Sequence, residues 1–194
     1  MQFYSFAQII HYPLSAIHYF MNYFEFYDLP IAFQLDEAAL KRSFYANSKR
    51  YHPDFFTLED EAKQNEILEL STLNTQAYKT LSDFDRRMKY VLELKDIFEE
   101  EGKNSLPQDF MMDMMDINEA IMELEFDYDE ATYQKVISDA QGIDNQILEE
   151  VKPIIENYQE NVTPQSDLEK VKNFYLKKRY LLRILENVSR FAPQ

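Results

Sequence analysis

Cysteine is absent from this 194-residue chain, and glycine occurs only twice, at Gly102 and Gly142. Without cysteine the chain has no disulfide, no thiolate metal site and no cysteine nucleophile. Two distant glycines cannot build a phosphate-binding loop such as GxGxxG, and they are too few for the tight turns of a typical β-sheet. The abundant Glu, Leu, Lys, Gln and Met residues favour helices instead. The composition therefore predicts an all-α protein, and it is compatible with a reducing, cytoplasmic location.

Basic residues are also scarce, because 20 Lys and Arg stand against 35 Asp and Glu and leave a net charge of −15. Phosphates would repel such a chain, which argues against nucleic acid as the main partner. Residues 1–20 are apolar and aromatic, but they lack a cationic start and are interrupted by Pro13. They fit neither a secretory signal nor a membrane span. We interpret them as an N-terminal extension before a functional chain that begins at Met21; an amphipathic surface anchor is the less favoured alternative.

The sharpest change in composition lies at residues 99–107, where an acidic run is followed by Gly102 and Pro107 with almost nothing apolar. Such a segment is typical of a linker. It divides the chain into a first module, residues 21–98, and a second module, residues 108–194. Apolar residues make up 45% of the chain, which is enough for a core in each module.

The first module is predicted to contain an antiparallel helical hairpin and a shorter third helix. Asp36 is a favourable N-cap for a helix that ends at about Tyr51, because Pro53 disfavours helical geometry at the residue before it. The next helix has a stripe at helical spacing, consisting of Ile67, Leu70, Asn74, Ala77 and Leu81. The third helix carries Met88, Val91 and Leu92.

The second module is predicted to be a three-helix bundle. Its first helix spans about 108–126, and its second spans about 129–160 with a kink at Pro153. Thr163 and Pro164 provide an N-cap and a first-turn proline for the third helix, which runs to about Phe191. The apolar stripe of the second helix consists of Ile137, Ala140, Ile147, Val151, Ile154 and Tyr158.

The tripeptide His52-Pro53-Asp54 follows a basic helical segment in this acidic chain. Residues 40–51 have a charge of +4 and no acid, from Lys41, Arg42, Lys49 and Arg50. A solvated face is the ordinary explanation of a charge run, but here the cations and the loop would form one surface suited to an acidic partner. Catalysis by His52 and Asp54 would need a nucleophile and an oxyanion site, which nothing nearby supplies. We therefore predict a docking surface rather than an enzyme, and no metal site.

The helix from Gln108 carries two apolar stripes when its residues are placed 100° apart. The core stripe consists of Phe110, Met114, Ile117, Ile121 and Leu124. The second stripe, roughly a third of a turn away, consists of Met111, Met115 and Met122, with Met112, Asp116, Glu119 and Glu123 beyond it. Two neighbours in a bundle would account for both stripes. Alternatively, the second is an exposed methionine patch with an acidic rim, suited to docking another protein.

These residues resemble a J-domain, whose signature is an HPD loop between a basic second helix and a third helix. Over about residues 21–191 the chain is similar to the HscB (Jac) co-chaperones of iron–sulfur cluster assembly. The segments that carry this similarity are Tyr23-Phe24-Glu25-Phe26, Leu29-Pro30, Phe33-Gln34-Leu35-Asp36, Leu73-Asn74-Thr75-Gln76-Ala77-Tyr78, Arg87-Met88-Lys89-Tyr90-Val91-Leu92 and Phe110-Met111-Met112.

The resemblance implies an N-terminal J-domain, a C-terminal three-helix domain and two protein partners. A DnaK/HscA-type ATPase chaperone would bind the His52-Pro53-Asp54 loop and the basic helix, and the loop would trigger ATP hydrolysis by the chaperone. An iron–sulfur scaffold protein would bind the second domain and be delivered to the chaperone. The implied scaffold-binding residues are Met111, Met112, Met115, Asp116, Glu119, Glu123 and Leu176. No cofactor is implied, since the chain has no thiolate to hold a cluster.

Four positions depart from the family pattern, and one of them is Phe84, which replaces a usual Pro before the helix at Arg87. Phe55 follows the tripeptide where Lys is usual, which changes the electrostatics of docking. Asp28 replaces a Gly before Leu-Pro, although Asp can also adopt the left-handed conformation. Leu176 replaces a frequent Phe. The nearest alternative function is a J-domain co-chaperone for a different client in general protein folding; a metal-independent hydrolase and a purely structural helical protein are the alternatives from other classes.

Overall fold

The computed structural model describes residues 21–98 and 105–191. These residues form helices and no strands, which confirms the predicted all-α class. Their contacts divide the chain into a first unit that ends at Arg87 and a second that begins at Met88. The predicted extension 1–20 and most of the predicted linker 99–107 lie outside the described residues. The division by contacts falls before that linker, and the linker stays a prediction.

The first unit contains the predicted helical hairpin. Helix α1 spans Tyr23–Phe26, α2 spans Glu37–Arg50, a 3₁₀ helix spans Pro53–Phe56, and α3 spans Glu61–Leu81. Helix α4, Phe84–Leu94, begins in this unit. Asp36 caps α2 as predicted, since its Oδ1 accepts a hydrogen bond of 2.9 Å from the Ala39 N–H. Asp28 adopts the left-handed conformation with φ 55°, so this substitution for glycine preserves the turn before Leu29.

A buried polar network holds the hairpin together. Asn74 on α3 donates from Nδ2 to Phe44 O at 3.2 Å and to Ser48 Oγ at 3.0 Å, both on α2. The Tyr27 hydroxyl donates to Asn74 Oδ1 at 2.8 Å and lies 2.9 Å from Asn74 O. Burial raises the pKa of that hydroxyl, which keeps it protonated as a donor. The Phe44 and Tyr78 rings stack at 4.2 Å beside the network. These contacts fix the position of α2 against α3.

Arg87 anchors the end of the first unit. Its side chain is buried, with Nε donating to Phe33 O at 2.8 Å and Nη1 donating to Leu81 O. The guanidinium carbon also lies 5.6 Å from the centre of the Phe84 ring. A buried cation is stable only when its donors find partners, and here two main-chain carbonyls provide them.

The second unit is a bundle of long helices, as predicted. Helix α5 spans Gln108–Asp113, α6 spans Met115–Phe126, α7 spans Glu130–Glu156 and α8 spans Gln165–Ser189. Helix α6 packs against α7, and α7 packs against α8. Within the described ranges, no helix combines the length and apolar character that crossing a membrane would require.

The prediction of one unbroken helix over 108–126 is wrong, because the helix is interrupted at Met114. Met114 has ψ −7°, and its N–H is directed at both Phe110 O and Met112 O. The Asn118 side-chain amide donates to Met114 O at 2.8 Å, and the Asn118 main-chain N–H donates to the same oxygen at 3.0 Å. The Met114 carbonyl at the interruption thus accepts one side-chain and one main-chain hydrogen bond from the same residue.

Two further details of the second unit differ from the prediction. Ala140, Ile147 and Val151 of the stripe predicted for the second helix are buried, whereas its other members, Ile137, Ile154 and Tyr158, are only half-buried, and Tyr133, Val136 and Ile155 are buried in addition. Thr163 does not cap α8, which begins after Pro164 as its N-cap. The Thr163 hydroxyl instead accepts a hydrogen bond of 3.0 Å from the Gln159 N–H, so the preceding turn uses the oxygen that a cap would need.

Candidate functional site

The His52-Pro53-Asp54 loop is exposed and ordered by local hydrogen bonds. His52 Nδ1 accepts from the Asp54 N–H at 3.3 Å and lies 3.8 Å from Asp54 Oδ2. Because Nδ1 is an acceptor in this geometry, the neutral imidazole carries its proton on Nε2. The side chains of His52 and Asp54 are 50% and 82% exposed. The loop therefore presents an imidazole N–H donor and a carboxylate to solvent.

The position of the loop follows from how α2 ends. The Tyr51 N–H donates to Asn47 O at 2.8 Å, and the buried Tyr51 side chain fixes the last turn in the core. His52 then adopts extended backbone, with φ −75° and ψ 121°, as the residue before a proline favours. Pro53 occupies the first position of the 3₁₀ helix, where its missing N–H costs nothing. The chain thus turns sharply at the tripeptide.

The four cations predicted for chaperone binding are exposed on α2: Lys41, Arg42, Lys49 and Arg50. At 100° per residue they spread over roughly half of the helix circumference. Lys49 and Arg50 lie in the last turn next to His52, and Lys41 and Arg42 lie about 12 Å further back along the helix. The Arg50 guanidinium packs 5.3 Å from the centre of the Tyr51 ring. The structure therefore joins the basic face and the tripeptide in one surface.

Tyr45 also belongs to this basic face, although sequence reasoning did not select it. It lies between Lys41 and Lys49 on the helical wheel and is 61% exposed. The i, i+4 spacing of Lys41, Tyr45 and Lys49 was the available signal. The face is thus cationic with an aromatic centre.

The methionines of the second stripe, and Met112 beside it, are exposed on α5 and α6. Met112, Met115 and Met122 are at least 60% exposed and Met111 is 39% exposed, whereas Phe110, Met114, Ile117 and Leu124 of the core stripe are buried. Ile121 is half-buried. The acidic residues beside the second stripe are exposed too: Asp116, Glu119 and Glu123. Of the two interpretations of this helix, the structure favours the exposed methionine patch with an acidic rim.

Leu176 lies on α8, not on the methionine patch, and is half-buried. Its neighbourhood is nevertheless joined to α5 and α6. The Lys177 ammonium lies 5.3 Å from the centre of the Phe110 ring, and the Tyr180 ring meets Phe110 edge-to-face at 5.8 Å. The Asn118 amide donates to the Tyr180 hydroxyl at 2.9 Å. These contacts place the Leu176 turn of α8 beside α5, which carries Met111.

A metal site has no support in the described parts of the chain, since His, Asp and Glu side chains nowhere gather there in a group of three or more that could hold an ion. Both candidate surfaces are instead exposed and suited to contact with other proteins.

Comparisons with known proteins agree with this organisation. A family model described as the HSCB C-terminal oligomerisation domain matches residues 106–189. The chain is 38% identical over 103 residues to the co-chaperone protein HscB homolog of Vibrio cholerae serotype O1 (strain M66-2), which covers 52% of this chain. It is 42% identical over 72 residues to the co-chaperone protein HscB of Buchnera aphidicola subsp. Acyrthosiphon pisum (strain Tuc7), which covers 37% of this chain. The family-model match, the curated relatives and the solved structures all support the HscB/Jac family for this chain.

The sequence matches are partial. They span 60% of the length of the Vibrio cholerae relative and 41% of the Buchnera aphidicola relative. The solved structures of the family match more completely. The chaperone HscB from Vibrio cholerae has a TM-score of 0.65 at 26% identity and covers 88% of this chain and 96% of its own. The human co-chaperone protein HscB has a TM-score of 0.68 at 27% identity and covers 88% of this chain and 81% of its own.

The loop after the tripeptide contains a contact that was not predicted from the sequence. Phe55 is 67% exposed and Leu58 is fully exposed. The Phe55 ring centre lies 5.3 Å from the His52 ring centre. The signal for this contact was the substitution of Phe55 for the usual lysine.

Proposed function

We propose that this protein is a co-chaperone that binds a DnaK/HscA-type ATPase chaperone through its first unit and stimulates ATP hydrolysis by that chaperone. The observation that carries the proposal is the exposed His52-Pro53-Asp54 loop, held at the end of the basic helix α2. The Asn74 network supports it, because that network fixes α2 against α3 and so holds the loop in a defined position. The protein has no catalytic role of its own in this proposal.

The second unit is proposed to bind an iron–sulfur scaffold protein and to bring it to the chaperone. The exposed methionines support this role, since flexible and polarisable Met side chains suit a protein-docking surface. The rim of Asp116, Glu119 and Glu123 would favour a partner with basic residues around an apolar centre. The description of the matched family model as an oligomerisation domain also supports a protein-binding role for residues 106–189.

A single-turnover assay of ATP hydrolysis tests the proposal. The native protein should accelerate hydrolysis by a DnaK-type chaperone, and a candidate iron–sulfur scaffold protein should increase the acceleration further. His52→Gln and Asp54→Asn should each abolish the acceleration. Both side chains are exposed, so each change should alter the free energy of unfolding by only about 0.5 kcal/mol.

Glu59→Gln is the matched control, because Glu59 is an exposed acid in the same loop and lies outside the tripeptide. This variant should stimulate the chaperone as the native protein does. Full stimulation by His52→Gln at unchanged melting temperature would refute the proposed mechanism. Acceleration that does not respond to the scaffold protein would indicate a J-domain co-chaperone for a different client.

A further inference from the structure

The turn that follows the tripeptide presents apolar side chains beside His52. The Phe55 N–H donates to His52 O at 3.1 Å, which brings the Phe55 ring to 5.3 Å from the imidazole at an angle of 44°. Phe55 remains 67% exposed, and Leu58 three residues later is completely exposed. Phe56, between them, is half-buried. The turn therefore directs Phe55 and Leu58 away from the core of the first unit.

This turn has a defined conformation. The Gln64 side-chain amide on α3 donates to Glu59 O at 2.8 Å and to Thr57 O at 3.3 Å. Asp60 caps α3, with its Oδ1 accepting from the Lys63 N–H at 2.8 Å. The two exposed apolar side chains are thus presented on a turn that α3 fixes, so little conformational entropy would be lost when a partner covers them.

Single exposed apolar residues are common and need no explanation. Phe55 differs because its ring touches the side chain of His52. A protein surface that contacts the His52 imidazole must also cover part of the Phe55 ring, since their centres are only 5.3 Å apart. Phe55 is therefore continuous with the surface proposed for chaperone binding.

Charge is distributed differently on the two sides of the tripeptide. The exposed cations Lys49 and Arg50 precede it, whereas Phe55 and Leu58 follow it and are succeeded by the exposed acids Glu59, Asp60 and Glu61. An acidic patch on a partner would match the first side and would be repelled by the second. An apolar depression would match Phe55 and Leu58.

We propose that Phe55 and Leu58 insert into an apolar depression of the DnaK-type chaperone, next to the site that receives His52. This inference rests on the proposed function and adds an apolar contact where a lysine is usual in the family. The contact replaces attraction between charges with burial of apolar surface, which salt does not screen. In this proposal the chain contacts the chaperone through cations before the tripeptide and through apolar side chains after it.

The test compares stimulation of single-turnover ATP hydrolysis by the native protein and by Phe55→Ser, as a function of protein concentration and at two salt concentrations. Burial of a phenylalanine predicts that Phe55→Ser raises the concentration for half-maximal stimulation roughly tenfold or more, by a similar factor at both salt concentrations. The maximal rate at saturation should not change. Leu58→Ser should act in the same direction, and Phe55→Leu should retain most of the native affinity.

Val162→Ser is the matched control, because Val162 is 70% exposed and lies in the second unit. Half-maximal stimulation by Phe55→Ser at the same concentration as by Val162→Ser would overturn the inference alone. A lower maximal rate at unchanged half-maximal concentration would also overturn it, since Phe55 would then only position His52. Absence of any stimulation by the native protein would overturn the proposed function together with this inference.

Discussion

At the scale of single residues, His52 owes its exposure to its neighbours. Tyr51 is buried and ends α2, Pro53 prevents helical geometry at His52, and the Asp54 N–H engages Nδ1 of the imidazole. The ring is therefore directed outward, and its Nε2 atom carries the proton that can be donated to a partner. Position relative to this loop likewise distinguishes the cations of the proposed docking surface from other exposed cations.

Lys49→Glu and Lys79→Glu provide a matched pair for this distinction. Both lysines are exposed in the last turn of a helix, so both reversals lose a favourable interaction with the helix dipole of about 0.3–1 kcal/mol. Only Lys49 lies beside the tripeptide. We expect Lys49→Glu to slow association with the DnaK-type chaperone roughly 1.5- to 5-fold at low salt, which corresponds to an exposed charge pair of about 0.2–1 kcal/mol.

Stopped-flow association rates at several salt concentrations measure this effect. The rate for Lys49→Glu should also depend less on salt, because the attraction that salt screens has been removed. Equal rates for the two variants would show that the basic face of α2 is only solvated.

At the scale of elements, the broken helix formed by α5 and α6 carries one buried and one exposed apolar stripe. Met114 is completely buried and Met115, the next residue, is 65% exposed. Successive helical residues are 100° apart, so one can lie in the core while the other faces solvent. Two adjacent methionines thus lie in different environments, one in the core and one in solvent.

Met114→Ala should therefore affect stability, whereas Met115→Ala should affect binding. Met114→Ala should lower the free energy of unfolding by about 2–5 kcal/mol, because it removes a buried side chain and leaves a cavity. Met115→Ala should change it by less than about 0.5 kcal/mol, yet it should weaken binding of the iron–sulfur scaffold protein. Urea unfolding and a binding titration on the same samples measure both quantities. Normal scaffold binding by Met115→Ala would remove Met115 from the proposed docking surface.

At the scale of the whole molecule, the position of the boundary between the two units can be tested by experiment. The sequence predicts a linker at residues 99–107, whereas the contacts assign residues from Met88 onward to the second unit. Two contacts within that unit join the segment before the predicted linker to the bundle. Lys95 Nζ pairs with Glu160 Oε1 at 2.5 Å, and the Phe98 ring meets the Tyr175 ring edge-to-face at 5.7 Å.

A fragment of residues 83–194 should therefore melt at a higher temperature than a fragment of residues 108–194. An edge-to-face aromatic pair contributes about 0.5–1.5 kcal/mol, and about 1 kcal/mol corresponds to roughly 4–8 °C in a domain of this size. Phe98→Ala in the longer fragment is the control and should remove most of the difference. Thermal melts that coincide for the two fragments would place the boundary at the predicted linker.

The helical class and the ends of the hairpin helices could be predicted from the amino-acid sequence, because these depend on local chemistry. Asp36 caps α2 with its own side chain, and Pro53 acts on the residue directly before it. Most of the core stripe was also predictable from apolar residues at helical spacing, since Phe110, Met114, Ile117 and Leu124 are buried and only Ile121 is half-buried.

The partners that polar side chains bind, and the apolar side chains that stay exposed, could be known only from the folded structure. Thr163 was available as a cap, but its hydroxyl accepts from the Gln159 N–H in the preceding turn, and the Asn118 side-chain amide donates to Met114 O and to the Tyr180 hydroxyl. The exposure of Met115 and Phe55 depends on what packs nearby, which periodicity does not specify. Residues that are far apart in the sequence compete for the same atom or surface only in the folded chain. The local sequence pattern therefore cannot predict the outcome.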